Sequence, residues 1–200
     1  MKAVKISNNP QYWGYITDKV SSNHLDGILK EFDIQTHKRY NRALAGYIED
    51  EFQLKDQDPS FLEYLELLAN ELHTNIHGKT NDDFELDDIW VNFQKRGEFN
   101  PAHEHSGAYS FVIWYDIPFT LKEEMSTMQS TSNTTEISGQ FYFMYPENNQ
   151  IDFVYPGIDS SWNGQIAIFP STLMHGVHPF RSNDGTRITI AGNMVRSNKQ

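Results

Sequence analysis

The chain has 200 residues, of which 38% are hydrophobic and 14% aromatic, enough to build one well-packed core and too few for two large ones. A formal net charge of −11 argues against binding nucleic acid through its phosphates, which needs clustered Lys and Arg. Cysteine is absent, so disulfides, thiolate metal sites and cysteine nucleophiles are excluded and any metal must use His and carboxylate.

The N-terminal "MKAVKISNNPQYWGY" has no apolar leader core, and no apolar run approaches the roughly 20 residues a membrane helix needs. The expectation is a cytoplasmic protein with neither a membrane nor a nucleic-acid partner. The one basic cluster, "THKRYNR" at 36–42, reads as a solvated helix end.

The first third predicts helices around one short strand, "KAVKI" at 2–6. Ser22 is placed to cap "NHLDGILKEF". In "NRALAGYIEDEF", Leu44, Tyr47, Ile48 and Phe52 have helical spacing. The clearest helix is "PSFLEYLELLANELHTNIHGK". Ser60 and Glu63 form a capping-box pattern at its start, and Gly78 stands where a helix ends. Its apolar face must lie on something.

From Asp82 the texture changes. "DDIWVNFQ", "YSFVIWYDI", "GQFYFMY", "IDFVYP", "GQIAIFP" and "TRITIAGNMV" are short β-rich runs separated by Gly, Pro and Asn, the pattern of an antiparallel sandwich or barrel. Helices followed by strands imply an α+β, mainly β chain with helices on one sheet. The Ser- and Thr-dense segment 121–139 is expected to be a flexible loop, either a lid or a plain insertion.

Chemistry concentrates in "FNPAHEHSGAYSFVIWYDIPF". In a strand, residues two apart share a face, so His103 and His105 converge while Glu104 points away. Such a pair alone fits a structural role as well as a metal site. A third imidazole, His175, follows the Gly-led strand ending at Pro170, and Arg187 and Thr189 share a face of the last strand. Three neutral ligands on one side of a divalent ion leave open positions, as an iron centre needs to bind both an organic acid and dioxygen. The guanidinium fork of Arg187 suits a carboxylate. His73 and His77, four apart, could also hold a metal, but their place in the last turn of a helix suits the helix dipole.

"HEHSGAYSFVIWYDI", then "GQIAIFPSTLMHGV", then "RITI" resembles the 2-oxoglutarate- and Fe(II)-dependent dioxygenases. Within them it is most similar to the prolyl-hydroxylase-like branch, which includes small proteins of bacteria and phages; for a phage chain the compartment would be the host cytoplasm. The resemblance covers roughly residues 88–195. It implies a double-stranded β-helix, a jelly roll related to the cupins, with helices buttressing one sheet. The implied organisation is one domain over 1–200, with a helical part at 1–80 and a β-helix core at 82–196.

By position, the resemblance makes His103, His105 and His175 the metal ligands and Arg187, with Thr189, the partner of the far carboxylate of 2-oxoglutarate. Tyr115 would hydrogen-bond that carboxylate too, and Asn92 would contact the cosubstrate. The implied cofactors are Fe(II), 2-oxoglutarate and dioxygen, with ascorbate in support. The implied reaction is hydroxylation of a peptidyl, including prolyl, or small-molecule substrate, with release of succinate and CO2. The family usually has a carboxylate where this chain has His105. Two other readings stand beside this one: a cupin-like three-His metalloenzyme that does not use 2-oxoglutarate, and a non-catalytic jelly-roll module binding carbohydrate or serving a structural role.

Overall fold

The computed structural model describes residues 1–41, 44, 46–55, 57–127 and 137–197. Two antiparallel sheets face each other, and helices cover the outside of the larger one. The strands are β1 (Lys2–Lys5), β2 (Gly14–Lys19), β3 (Asp50–Gln53), β4 (Phe84–Gln94), β5 (Asn100–His103), β6 (Tyr109–Asp116), β7 (Phe141–Glu147), β8 (Gln150–Val154), β9 (Gln165–Pro170), β10 (Met174–Val177) and β11 (Arg187–Arg196). The helices are α1 (Ser22–Ile28), α2 (Pro59–His77) and α3 (Leu121–Ser126).

The major sheet has the order β1-β2-β9-β6-β11-β4-β3, and the minor sheet β5-β10-β7-β8. Apart from the hairpin of β7 and β8, consecutive strands from β4 to β11 alternate between the sheets, the path of a jelly roll.

β6, "YSFVIWYD", is buried over its first six residues because it lies in mid-sheet with helices on one face and the minor sheet on the other. That position selects a near-continuous apolar run over strict alternation. Its side chains still divide by parity. Tyr109, Phe111 and Ile113 join the helix-side core with Val91, Ile166, Ile168 and Ile190. Val112 and Trp114 join the inter-sheet core with Trp90, Phe141, Phe143 and Phe169.

α2 supplies the other half of the helix-side core. Phe61, Leu65, Leu68 and Leu72 are each at most 1% exposed and recur at the spacing of one helix face. Burying each such side chain contributes about 1.5–3 kcal/mol. Pro59 occupies the first turn, where its missing N–H costs nothing, and the chain leaves the helix at Gly78 with φ +79°. The cap is one position the sequence reading misplaces. Asp58, not Ser60, accepts from the Ser60 amide. Likewise Ser21, not Ser22, caps α1.

Two larger expectations fail. The first third is not mainly helical, because β1, β2 and β3 all belong to the major sheet. The helix expected over 41–52 does not form among its described residues, which include β3 and the isolated bridge of Tyr47 to Phe99. Arg42, from the basic cluster, lies outside the described residues, as do 128–136 of the expected 121–139 loop. The start of that segment is ordered as α3, closed by a capping box in which Thr120 and Glu123 exchange hydrogen bonds. Among the described residues no helix is long and apolar enough to cross a membrane.

Candidate metal centre

A cavity opens between the sheets. Its walls include Trp90, Asn92 and Gln94 of β4, Val112 and Trp114 of β6, Phe141 of β7, and Arg187, Thr189 and Ala191 of β11. Three imidazoles stand in it. β5 and β10 pair with His103 directly opposite His175, and His105 lies two residues past the end of β5. The ligand atoms of all three lie within 4.8 Å of one another.

His103 and His105 do converge, but not through strand parity. The strand ends at His103, and His105 sits in the following turn, fixed by its amide donating to the Ser171 carbonyl at 3.0 Å. The Ser171 amide in turn donates to Ala108, and the Ser110 hydroxyl bridges Ser171 Oγ and Asn193 Oδ1. Glu104 is exposed. Nothing in the spacing of Ser110, Ser171 and Asn193 along the chain announces this support.

Two of the rings are oriented by the backbone. His103 Nδ1 is 2.8 Å from the Pro101 carbonyl, and His175 Nδ1 is 3.1 Å from that of Leu173. Each contact fixes Nδ1 as the protonated nitrogen and turns Nε2 towards the shared space, the outer-partner device of metal-binding histidines. Trp90 lies 5.6 Å from the His105 ring, and Phe169 4.7 Å from His175.

Burial holds the three rings neutral. It pushes His105 down to about 4, with His103 adding to the effect, and it drives His175 well below the usual imidazole range and His103 lower as well. Three neutral, convergent imidazoles are a donor set that suits a divalent transition ion such as Fe(II).

Arg187 stands in the same cavity, 2% exposed. Its Nη1 donates to Gln94 Oε1 at 3.2 Å, its Nη2 donates to the Gly139 carbonyl, and its Nε has no partner. The guanidinium lies 4.9 Å from the Phe119 ring and 5.8 Å from that of Phe180. Burial pushes it down to about 9, with the Glu124 carboxylate opposing the shift, and it stays charged at neutral pH. A buried cation with unused donors facing a cavity is built to accept an anion.

Asn92 donates to Thr189 Oγ1 at 3.1 Å and leaves its own Oδ1 buried without a partner. Both residues line the cavity. Tyr115 does not. Its side chain packs in the helix-side core, because its neighbour Trp114 faces the cavity and successive strand residues alternate. The expected hydrogen bond from Tyr115 to a cosubstrate carboxylate is therefore corrected.

Two other buried or half-buried histidines have partners outside the cavity. His73 is no helix-dipole residue: it is buried, with Nδ1 2.6 Å from the Tyr109 hydroxyl and Nε2 3.0 Å from Asp82, tying α2 to the sheet. His178 stacks on Tyr142 at 4.7 Å.

The family model described as "Putative 2OG-Fe(II) oxygenase" matches residues 88–193, more than half of the chain. The chain belongs to this family. It is an oxygenase dependent on 2-oxoglutarate and Fe(II), and the readings without 2-oxoglutarate or without catalysis are not favoured. No curated protein matches the sequence.

Among solved structures, the oxygenase is similar to a prolyl-4-hydroxylase of Pseudomonas putida, with 12% identity and a TM-score of 0.52 over 92% of this chain and 93% of that one. It is also similar to the viral collagen prolyl hydroxylase of Paramecium Bursaria Chlorella virus-1, solved with 2OG, with 10% identity and a TM-score of 0.50 over 92% and 96% of the two chains. At such identities the likeness is one of fold, the jelly roll with flanking helices.

Proposed function

We propose that His103, His105 and His175 hold the iron of this oxygenase, and that Arg187, aided by Thr189 and Asn92, binds the 5-carboxylate of 2-oxoglutarate. The reaction is hydroxylation of a peptidyl or small-molecule substrate. The observation that carries this reading is the occurrence, in one cavity between the sheets, of three convergent imidazoles and a buried arginine with unused donors.

When bound, Fe(II) with 2-oxoglutarate and dioxygen supplies the oxidising chemistry: 2-oxoglutarate leaves as succinate and CO2, and one oxygen atom enters a C–H bond of the substrate.

The chain's own residues place and enclose these reactants. Arg187 and Thr189 lie on β11 with Asn92 and Gln94 on the adjacent β4, so an anion anchored there extends towards the histidines of the minor sheet. Val112, Trp114 and Phe141 give that path apolar walls, which exclude water and strengthen every polar contact inside. His105, standing where the family usually has a carboxylate, leaves the first set of ligands uncharged. A divalent ion held by these three neutral imidazoles would keep its full charge, which would favour an anionic cosubstrate beside it.

The peptidyl reading, with prolyl peptides as the first candidates, is supported by the fold likeness to two prolyl hydroxylases. Ascorbate is expected to sustain turnover by keeping the iron reduced.

The test is anaerobic binding of 2-oxoglutarate to the Fe(II)-loaded protein, followed by succinate release in oxygen with prolyl peptides and with small molecules. Wild type is expected to bind, and His175→Ala not to. A wild-type protein that takes up Fe(II) but neither binds 2-oxoglutarate nor forms succinate overturns the reading.

A further inference from the structure

Glu124, on α3, does not line the cavity, yet it is 1% exposed and fully engaged. Its carboxylate accepts from the Arg181 amide at 3.1 and 2.9 Å, from the Ser182 amide at 2.8 Å and from the Ser138 hydroxyl at 2.7 Å. These donors offset the cost of burial and hold the carboxyl below the usual range, so it is charged. A buried charge is an expensive way to dock a short helix, since an apolar side chain of similar volume would do so at lower cost.

The groups that Glu124 holds are the sequence neighbours of those that hold Arg187. Ser138 precedes Gly139, whose carbonyl accepts from Arg187 Nη2. Arg181 follows Phe180, whose ring stacks on Phe119 at 5.1 Å and with it flanks the guanidinium. The two segments are also bonded to each other, the Gly139 amide donating to the Pro179 carbonyl at 3.0 Å. Gly139 itself has φ +70°, and a Cβ there would meet the Phe119 ring at 2.9 Å and Glu124 Cγ at 3.1 Å. Only glycine lets the carbonyl sit between the helix and the guanidinium.

We propose that Glu124 is a positioning residue for cosubstrate capture: by fixing residues 138–139 and 180–182 it sets the Arg187 fork, leaving Nε and the outer N–H groups free for the distal carboxylate of a dicarboxylate 2-oxo acid. This rests on the reading of Arg187 as the anchor for 2-oxoglutarate. Glu124 also places a fixed negative charge behind the buried cation, which keeps that cation stable before the cosubstrate arrives.

The test compares two ligands on the metal-loaded protein without oxygen, by calorimetric titration. 2-Oxoglutarate has the distal carboxylate, and 2-oxopentanoate has the same keto-acid head and chain length with a methyl group in its place. Wild type is expected to prefer the dicarboxylate. In Glu124→Gln the affinity for 2-oxoglutarate should fall about tenfold, the loss of one good hydrogen bond's worth of alignment. Affinity for 2-oxopentanoate and for Fe(II) should be unchanged. Ser138→Ala, a smaller change that keeps the carboxylate, should move the same preference in the same direction by a few-fold and carries the test if Glu124→Gln does not fold. A wild-type preference in the folded variants, or an equal loss for both ligands, overturns the proposal. Arg187→Leu separates the two levels. If it leaves the preference intact, the anchor reading itself fails; if it abolishes the preference while Glu124→Gln and Ser138→Ala do not, only the role of Glu124 fails.

Discussion

The two faces of the major sheet are made from the same strands and are opposite in character. On β11, Ile188 and Ile190 face the helices while Arg187, Thr189 and Ala191 face the cavity. On β4, Ile89 and Val91 alternate in the same way with Trp90, Asn92 and Gln94. The helix face is closed and mostly apolar, and His73, which enters it, has both ring nitrogens partnered. On the cavity face, buried Asn92 Oδ1 and Arg187 Nε are left without partners. A fold stabilised for its own sake satisfies its buried polar atoms. Arg187 Nε, an unpartnered donor of a residue lining the same cavity as three convergent imidazoles, is where an anionic ligand would complete the structure.

The contrast is tested most severely by two truncations of different faces. His175→Ala removes a proposed ligand, and its effect on turnover should exceed the roughly 10–100-fold that losing a mere partner of a metal ligand costs, with Fe(II) binding lost by direct titration and the melting temperature of the metal-free protein nearly kept. Leu68→Ala, on the helix face, should do the reverse. It is expected to cost about 2–5 kcal/mol of stability through lost burial and a cavity, read as a lower denaturant midpoint, while the folded fraction keeps wild-type Fe(II) affinity. A destabilising His175→Ala or an iron-defective Leu68→Ala would mean the faces are not separate in function.

A subtler probe sits at the edge of the cavity face. Glu51 on β3 pairs with Asn92, is 2% exposed and has an Oε1 without a partner. Burial, with the Glu98 charge adding, pushes its carboxyl up to about 7. In the unfolded chain this group ionises near its ordinary value, so between about pH 4.5 and 7 the folded state holds a proton that the unfolded state has released. Stability from this group is full below that window and falls as pH rises through it, by on the order of 3 kcal/mol. Glu51→Gln should flatten that part of the stability-versus-pH curve measured by chemical denaturation. A slope unchanged by the substitution would show that Glu51 is already ionised in the fold.

How much of this was legible in the sequence follows from the same two faces. The strands from 84 to 196 announce themselves through β-branched and aromatic runs between turn residues, and His103, His105, His175 and Arg187 stand out because their chemistry is unusual near such strands. The segment 41–52 misleads for a physical reason. Its helical spacing is a coincidence of residues serving different surroundings: Leu44 packs against the inter-sheet core, Ile48 lines the cavity, Phe52 enters the helix-side core and Tyr47 is 74% exposed. Glu124 was invisible because three of its four hydrogen bonds come from backbone amides some 57 residues away, and backbone donors carry no sequence signal.

Tyr115 gives the smallest and most pointed prediction. Along "FVIWY" both parities are aromatic or aliphatic, because β6 is covered on both sides, so composition cannot say which ring faces the cavity. The structure turns Trp114 to the cavity and Tyr115 to the helices. Tyr115→Phe is therefore expected to leave 2-oxoglutarate affinity within about twofold, below the roughly 0.5–1.5 kcal/mol that a lost hydrogen bond costs. Thr189→Val removes the hydroxyl that accepts from Asn92 on the cavity side, leaves that amide unpartnered, and should weaken the same affinity several-fold. Measured side by side by anaerobic titration, the two conservative changes reduce the comparison of faces to single hydroxyl groups. A larger loss for Tyr115→Phe than for Thr189→Val would overturn the assignment of parity on β6, and with it the division of the sheet into a structural and a functional face.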